Sequence, residues 1–316
     1  MKIMYTLLLF ASIFCGTALP MVLTPENSVI IFDLDDVVIQ QSSWLKSKLV
    51  IGGIMQNIFG AVDYIRALLY VKNIYKRDGS KEALCDEHGN AMSGLTFHFL
   101  YHGMREPRLT PYVAWMINTI ENSRCFIDGT KEIILYLKEK GFIINFATNK
   151  DRVTYDITAR ALGDEFTSIP TKVFVAHPGN ADVVMAQLKA FAQLPTTCAS
   201  YKELEHQTRT VQPTANIFHA PDKKPGLPYF QFVEKEVGPD KHMIFIDDRN
   251  ENIKGFNKLQ DAATTLRRGI CFKNPIQLAH ELIKLGILSE IDDKKLLDQI
   301  HYPNTKGRLM RPLFGI

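Results

Sequence analysis

The sequence SVIIFDLDDVV, from Ser28 to Val38, passes from an apolar run to three carboxylates within four residues. The unbroken run from Val29 to Phe32 predicts a fully buried strand of the kind found in parallel sheets. In open α/β sheets, ligands bind beyond the carboxyl ends of the strands. Carboxylates this crowded favour a bound cation or a retained proton. This strand end is therefore a candidate for metal binding and acid–base chemistry, although Asp-x-Asp taken alone would favour a solvated strand-to-loop turn.

Three later segments also carry polar side chains at the ends of predicted elements. A second buried strand ends at the pair Thr148-Asn149, whose hydroxyl and amide can hold a phosphoryl oxygen. The run Lys223-Lys224-Pro225 precedes a predicted helix start, where the helix dipole favours anions and Pro is tolerated. A third apolar strand ends at Asp247-Asp248. Alone, these segments would suit a helix N-cap, a solvated helix end and a polar loop. Their occurrence together in this order favours a shared site.

The order of the four segments resembles the haloacid dehalogenase (HAD) superfamily of phosphotransferases. Asp33-x-Asp35-x-Val37 matches the first motif of that superfamily, Thr148-Asn149 the second, Lys224-Pro225 the third and Asp247-Asp248 the fourth. The resemblance spans roughly residues 28–275. It implies a doubly wound, mostly parallel, Rossmann-like α/β sheet with a helical cap inserted after the first strand.

The resemblance also implies roles for these residues. Asp33 would be the nucleophile that becomes an aspartyl-phosphate, and Asp35 would be the general acid and later the base that activates water. Lys224, with Lys223 as its rival, would balance the charge of Asp33 and the transferring group. Thr148 and the backbone amide of Asn149 would hold the phosphoryl oxygens.

A Mg²⁺ cofactor follows from the same reasoning, since Mg²⁺ prefers hard oxygen ligands and is commonly held by one or two carboxylates plus phosphate. The implied ligands are Asp33, Asp247 and the backbone carbonyl of Asp35, with Asp248 as an outer contact. The fourth motif lacks the later carboxylate of the common pattern, and Asn252 is a candidate substitute for it. This departure bears on metal affinity more than on mechanism.

The implied activity is Mg²⁺-dependent phosphomonoester hydrolysis. A phosphomutase needs the same two aspartates and is the alternative enzyme, and a non-catalytic secreted binding protein is the alternative of another class. Asp35 disfavours dehalogenation, because dehalogenases of the superfamily have other residues there. The substrate would be a phosphorylated small molecule or a phosphoprotein. A formal net charge of +3 is too small to indicate nucleic-acid binding.

The amino terminus indicates export. Residues 1–18 combine a basic start, an apolar run and a small-residue cleavage site, which predicts a signal peptide and a periplasmic or secreted protein without a membrane span in the mature chain. The catalytic core is then expected at residues 19–40 and 125–290, the cap insertion at 41–124 and a tail at 291–316. Local patterns also predict helices near residues 93–101 and over 110–122, 151–162 and 181–192, and strands over 172–176 and 269–272. Two disulfides and free buried thiols are both compatible with the remaining cysteines, which are Cys85, Cys125, Cys198 and Cys271.

Overall fold

The computed structural model describes residues 23–56, 58–78, 108–150, 152–176, 216–259 and 265–301. The predicted signal peptide, the helices expected near residues 93–101 and 181–192, and the last part of the predicted tail lie outside these ranges. In the part of the chain that is described, no helix is both long and apolar enough to cross a bilayer.

The described chain contains eight strands. They are β1 (Ser28–Phe32), β2 (Ile39–Gln41), β3 (Arg124–Phe126), β4 (Ile143–Ala147), β5 (Lys172–Ala176), β6 (Ile217–Ala220), β7 (His242–Asp247) and β8 (Arg267–Cys271). Six of them form one sheet in the order β6-β5-β4-β1-β7-β8, with every pairing parallel. The other two, β2 and β3, form a separate antiparallel ribbon.

Helices lie between and after the strands along the chain. They are α1 (Leu45–Ser47), α2 (Gly53–Gln56), α3 (Ala61–Asp78), α4 (Thr110–Glu121), α5 (Thr130–Glu139), α6 (Arg152–Thr167), α7 (Leu227–Val237), α8 (Asn250–Phe256), α9 (Pro275–Lys284) and α10 (Lys294–His301). A π-helical turn, Lys48–Gly52, joins α1 to α2, and a 3₁₀ turn, Ile58–Gly60, precedes α3.

Strand β1 is buried on both faces, which confirms the strand burial predicted from its unbroken apolar run and the doubly wound α/β fold implied by the resemblance. Ile30 and Phe32 pack into a cluster that includes Ile133 of α5. Val29 and Ile31 alternate with them and pack on the opposite face, in the cluster that contains Phe230 of α7 and Phe256 of α8. Because side chains alternate along a strand, both faces of the sheet require covering helices.

The chain leaves and re-enters the core through the ribbon of β2 and β3. Gln41 pairs with Arg124 across this ribbon, so the two predicted limits of the insertion face each other. The described part of the insertion consists of helices α1 to α4 and the turns between them. The sequence predicted helical structure here, including a helix over residues 110–122, but it did not predict the ribbon.

Several predicted elements differ from the structure at their ends. The helix expected over residues 151–162 is interrupted by a kink at Gly163, whose φ of 74° is not helical, and a second helical segment continues from there to Thr167. The strand expected over residues 269–272 is β8, Arg267–Cys271, and the strand expected over residues 172–176 has those bounds. Helix α10 lies in the segment predicted as a tail, and it packs Leu296 and Ile300 into the core.

Candidate active site

The carboxyl ends of three adjacent strands form one edge of the sheet. Strand β1 lies between β4 and β7, so the residues that follow these strands must lie close together. The backbone amide of Asp33 donates to the carbonyl of Ile246 at 2.8 Å, which continues the pairing of β1 with β7. The motifs that begin at Asp33, Thr148 and Asp247 therefore meet at this edge.

Lys224 lies between the two central carboxylates. Its ammonium nitrogen is 2.8 Å from Asp33 Oδ1 and 2.7 Å from Asp247 Oδ2, and it also donates to the carbonyl of Ala147 at 2.9 Å. All three side chains are buried, with Lys224 3% exposed. The neighbouring Lys223 is partly exposed and has no ion pair with either carboxylate. Of the two lysines, it is Lys224 that faces the site.

The backbone of Lys224 is held by the side chain of Asn149. The Asn149 amide donates to the Lys224 carbonyl at 3.1 Å and accepts from the Lys224 amide at 2.8 Å. The peptide bond between Lys224 and Pro225 is cis. The expectation that Pro225 begins a helix was wrong, because Gly226 is the N-cap of α7 and Pro228 occupies its first turn. Asn149 thus fixes the loop that carries the lysine.

Asp247 is oriented by the start of helix α8. The Asn252 amide nitrogen is 2.9 Å from both Asp247 oxygens, and the Arg249 backbone amide donates to Oδ1 at 2.9 Å. Asn252 was considered as a replacement for a missing carboxylate ligand. In this arrangement its amide donates to Asp247, so its role here is to orient that carboxylate.

Carboxylate oxygens of Asp33, Asp247 and Asp248 lie within 4.8 Å of one another. We refer to these three residues with Lys224 as the carboxylate cluster. Three carboxylates and one ammonium give it a formal charge of −2, and its available ligands are hard oxygens. These properties fit a divalent cation such as Mg²⁺. Asp35, the other predicted ligand residue, has no carboxylate oxygen in this group.

The electrostatics of the cluster agree with its unbalanced charge. Burial raises the pKa of Asp33 to about 8, and the nearby Asp247 and Asp35 add to the shift while Lys224 opposes it. Burial, followed by the charge of Asp247, also raises the pKa of Asp248. In both cases the ionised form is disfavoured by low dielectric and like charge. A bound cation would remove this penalty.

Thr148 lies at the end of β4 and is almost fully buried. Its amide donates to the carbonyl of Phe174 at 2.9 Å, and its hydroxyl accepts from the amide of Lys150 at 3.1 Å. Tyr229 of α7 donates to the same Phe174 carbonyl at 3.0 Å, which joins this strand end to the helix that follows Lys224. These bonds fix Thr148 and Asn149 beside the lysine loop.

Asp35 points into a different set of partners. Its Oδ1 is 3.0 Å from Arg124 Nη1 and 3.3 Å from Lys150 Nζ, and its side chain is 36% exposed. The next residue, Asp36, is exposed and has a positive φ of 61°, a conformation that Asp and Asn adopt more readily than most residues. The Asp35 carboxylate therefore pairs with these two cations and has no oxygen in the carboxylate cluster.

Sequence reasoning did not identify three charged residues near Asp35, namely Glu121, Arg124 and Lys150. Lys150 directly follows the second motif, and Arg124 stands at the predicted end of the insertion. Glu121 is the last residue of α4. The position of Lys150 beside Thr148-Asn149 was the signal that could have found it, whereas Glu121 and Arg124 had no motif to mark them.

The cysteines within the described chain carry free thiols. Cys125 lies in β3 and Cys271 at the end of β8, and both are partly buried. A disulfide between these two is therefore not formed. Cys85 and Cys198 lie outside the described residues, so the predictions about them are untested.

Comparison with known proteins gave structural likenesses only. No protein-family model matches the chain, and no curated protein matches it. A putative HAD-hydrolase, YfnB from Bacillus subtilis bound to magnesium, is 13% identical with a TM-score of 0.45, and the match covers 81% of this chain and 99% of that one. A HAD family hydrolase from Deinococcus radiodurans R1 with bound phosphate and sodium is 13% identical with a TM-score of 0.37, covering 84% and 99%.

A dehalogenase is 10% identical with a TM-score of 0.40, and that match covers 82% of this chain and 99% of the other. These scores and identities are low, so the fold is assigned from the chain itself. Its first strand lies between the strands that carry the second and fourth motifs, all in parallel, and the lysine of the third motif bridges the aspartates of the first and fourth. The core of this chain is therefore a doubly wound parallel α/β sheet, with the segments of the first, second and fourth motifs at one edge of it.

Proposed function

We propose that this protein is a Mg²⁺-dependent phosphomonoester hydrolase that acts through an aspartyl-phosphate on Asp33. The observation that carries the proposal is the carboxylate cluster, in which Lys224 touches both Asp33 and Asp247 and the formal charge is −2. Phosphoryl transfer is catalysed mainly by positioning and by neutralising charge. The cluster supplies a nucleophilic oxygen, a fixed ammonium and carboxylate ligands for a cation within one buried site.

Mg²⁺ bound by Asp33, Asp247 and Asp248 would neutralise the carboxylates and the phosphate dianion that must approach them. The chain itself supplies the remaining groups. Lys224 holds one oxygen of Asp33 and adds positive charge where the phosphoryl group arrives. Asn149 keeps Lys224 in place through its two backbone hydrogen bonds.

Two proton transfers and two displacements complete the proposed reaction. An Asp33 carboxylate oxygen forms a bond to phosphorus as the ester P–O bond breaks, and the carboxyl group of Asp35 gives its proton to the departing oxygen. Asp35, now ionised, then takes a proton from water as that water attacks phosphorus. The bond from phosphorus to Asp33 breaks, which releases inorganic phosphate and restores both aspartates.

The predicted signal peptide supports the further proposal that this hydrolase acts after export. A phosphomutase would use the same two aspartates but would return the phosphoryl group to an organic acceptor. Hydrolysis is favoured because an exported enzyme has little access to the sugar phosphates of central metabolism. Release of inorganic phosphate distinguishes the two reactions.

The test is hydrolysis of p-nitrophenyl phosphate by the purified mature chain. We expect Mg²⁺-dependent release of inorganic phosphate that is abolished by EDTA and by Asp33→Asn. Asp36→Asn is the matched control, because Asp36 is an exposed neighbouring carboxylate whose positive φ Asn also tolerates. This control should retain activity. Hydrolysis that persists in EDTA or in Asp33→Asn would exclude the proposal.

A further inference from the structure

A second group of buried charges lies beside the carboxylate cluster. Glu121 Oε2 is 2.7 Å from Lys150 Nζ, and Glu121 Oε1 is 3.4 Å from Arg124 Nη2. Both cations also lie within ion-pair distance of Oδ1 of Asp35, at 3.0 Å and 3.3 Å, although neither contact has hydrogen-bond geometry. We call Glu121, Arg124 and Lys150 the Asp35 clamp. It joins the end of α4, strand β3 and the residue after the second motif to the first motif.

The side chains of the clamp are buried, and Glu121 accepts a further hydrogen bond from outside the clamp. The side chain of Glu121 is fully buried, and those of Arg124 and Lys150 are 8% and 7% exposed. Thr158 of α6 donates to Glu121 Oε2 at 2.6 Å, so a second helix also holds this carboxylate. Long basic side chains lose considerable rotamer freedom when they are held in this way. The geometry therefore fixes where the two cations can meet Asp35.

Stability alone gives a weak account of this arrangement. Removing charges from water is costly, and well-packed apolar residues often replace a buried ion network with neutral or favourable effect. Two cations face two carboxylates when Asp35 is ionised, and the group carries one net positive charge when Asp35 holds the proton. The one member that is substantially exposed is Asp35, at 36% of its side chain. The two cations of the network therefore contact Asp35, the residue that donates the proton in the proposed mechanism.

We propose that Arg124 and Lys150, anchored by Glu121, are positioning residues that hold Asp35 Oδ1 so that Oδ2 serves the proton transfer. The inference rests on the proposed function, and it adds residues that none of the four motifs contains. Since Glu121 and Arg124 lie where the insertion returns to the core, the clamp also connects the base of the insertion to the general acid. A misplacement of about 1 Å is enough to cost about 10²-fold in rate.

Leaving groups of different basicity provide the test. A nitrophenolate leaves without a proton, whereas a more basic phenolate needs one in the transition state. We would measure kcat/KM for a series of substituted phenyl phosphates, because kcat/KM reports the steps up to formation of the aspartyl-phosphate. Arg124→Lys and Lys150→Met should lower kcat/KM by about 10- to 100-fold for the most basic leaving group. Their losses for nitrophenyl phosphate should be much smaller.

Two controls separate positioning from general damage. Glu234→Gln removes the partly exposed partner of the buried Arg267 where β8 begins, at the opposite edge of the sheet, and should leave the leaving-group dependence unchanged. Arg124→Lys placed in an Asp35→Asn background should add no further leaving-group dependence, because the group it positions is absent. If Lys150→Met does not fold, Lys150→Arg keeps the charge, changes its reach and should show the same selective loss.

The outcomes are distinct. Absence of phosphatase activity in the unaltered protein would overturn the proposed function. An active protein in which clamp variants lose activity equally for all leaving groups would overturn the positioning role alone. So would an additive effect of Arg124→Lys in the Asp35→Asn background. Selective loss for basic leaving groups, abolished in that background, is the expected result.

Discussion

The two buried charge groups at this sheet edge differ in one decisive respect. The carboxylate cluster has three acidic side chains for a single ammonium, whereas the Asp35 clamp and Asp35 together have two acids and two bases. Burying unpaired charge is costly, so a balanced group can persist by itself, whereas an unbalanced one retains a proton or binds a further cation. On our proposal, the contrast distinguishes the group that binds a cation and phosphate from the group that positions Asp35.

The largest difference between the two groups is expected in how Mg²⁺ affects protein stability once each group has lost its central lysine. Lys224→Met and Lys150→Met should both destabilise the metal-free protein by about 3–5 kcal/mol, because each leaves buried carboxylates uncompensated. Added Mg²⁺ should reduce the loss of unfolding free energy in Lys224→Met, since a divalent cation can neutralise the carboxylate cluster. Added Mg²⁺ should leave the loss of unfolding free energy in Lys150→Met unchanged. Urea unfolding with Mg²⁺ and with EDTA measures both effects.

If Mg²⁺ restored stability equally in both variants, the proposed distinction between the two groups would be wrong, because the clamp would then bind the cation as well. Activity provides a second readout for Lys224→Met. Loss of its ammonium should lower kcat by about 10²- to 10³-fold even at saturating Mg²⁺, as for other groups that stabilise developing charge.

A smaller and pH-dependent effect is expected at Glu121. Although burial acts in the opposite direction, Lys150 and Arg124 lower the pKa of Glu121 to about 2 from an ordinary value of 4.5. A carboxyl group whose pKa is lower in the folded state contributes stability above its unfolded pKa and loses it as the pH falls through the folded value. Glu121→Gln should therefore cost about 3 kcal/mol at pH 7. The difference in unfolding free energy between the unaltered protein and Glu121→Gln should become smaller as the pH falls from 4.5 to 2.

Urea midpoints for the unaltered protein and Glu121→Gln, measured at pH 7 and at pH 3, check this prediction. The matched control is Glu165→Gln, which breaks an exposed ion pair with Lys131 and should cost less than about 1 kcal/mol at either pH. A deficit in Glu121→Gln that stays constant down to pH 3 would show that its carboxylate is not the stabilising group.

The carboxylate cluster could be predicted from the sequence, and the clamp could not. Asp33 and Asp247 follow unbroken apolar strands, and parallel strands bring such ends to one edge, so local patterns were sufficient to bring these residues together. Lys224 was found through the motif order. Even here the local reasoning was incomplete, because Pro225 precedes the helix N-cap instead of beginning the helix.

The clamp depends on contacts that no local pattern encodes. Glu121 and Lys150 are separated by 29 positions and by a strand, a helix and another strand. Glu121 ends a helix and Arg124 stands where the insertion rejoins the core, so each would ordinarily be interpreted as a solvated charge. Only the antiparallel ribbon, which the sequence did not predict, brings Arg124 to Asp35. Tertiary packing decided this part of the site.

The most direct test of the account is whether Mg²⁺ binding requires the unbalanced group and ignores the balanced one. Thermal unfolding of the unaltered protein, Asp247→Asn and Glu121→Gln would be compared with and without Mg²⁺. At a Mg²⁺ concentration 100 times Kd, ligand binding stabilises the folded state by about 2.7 kcal/mol. The account predicts this gain in the unaltered protein and in Glu121→Gln, and its loss in Asp247→Asn. No gain in the unaltered protein, or an equal gain in Asp247→Asn, would contradict it.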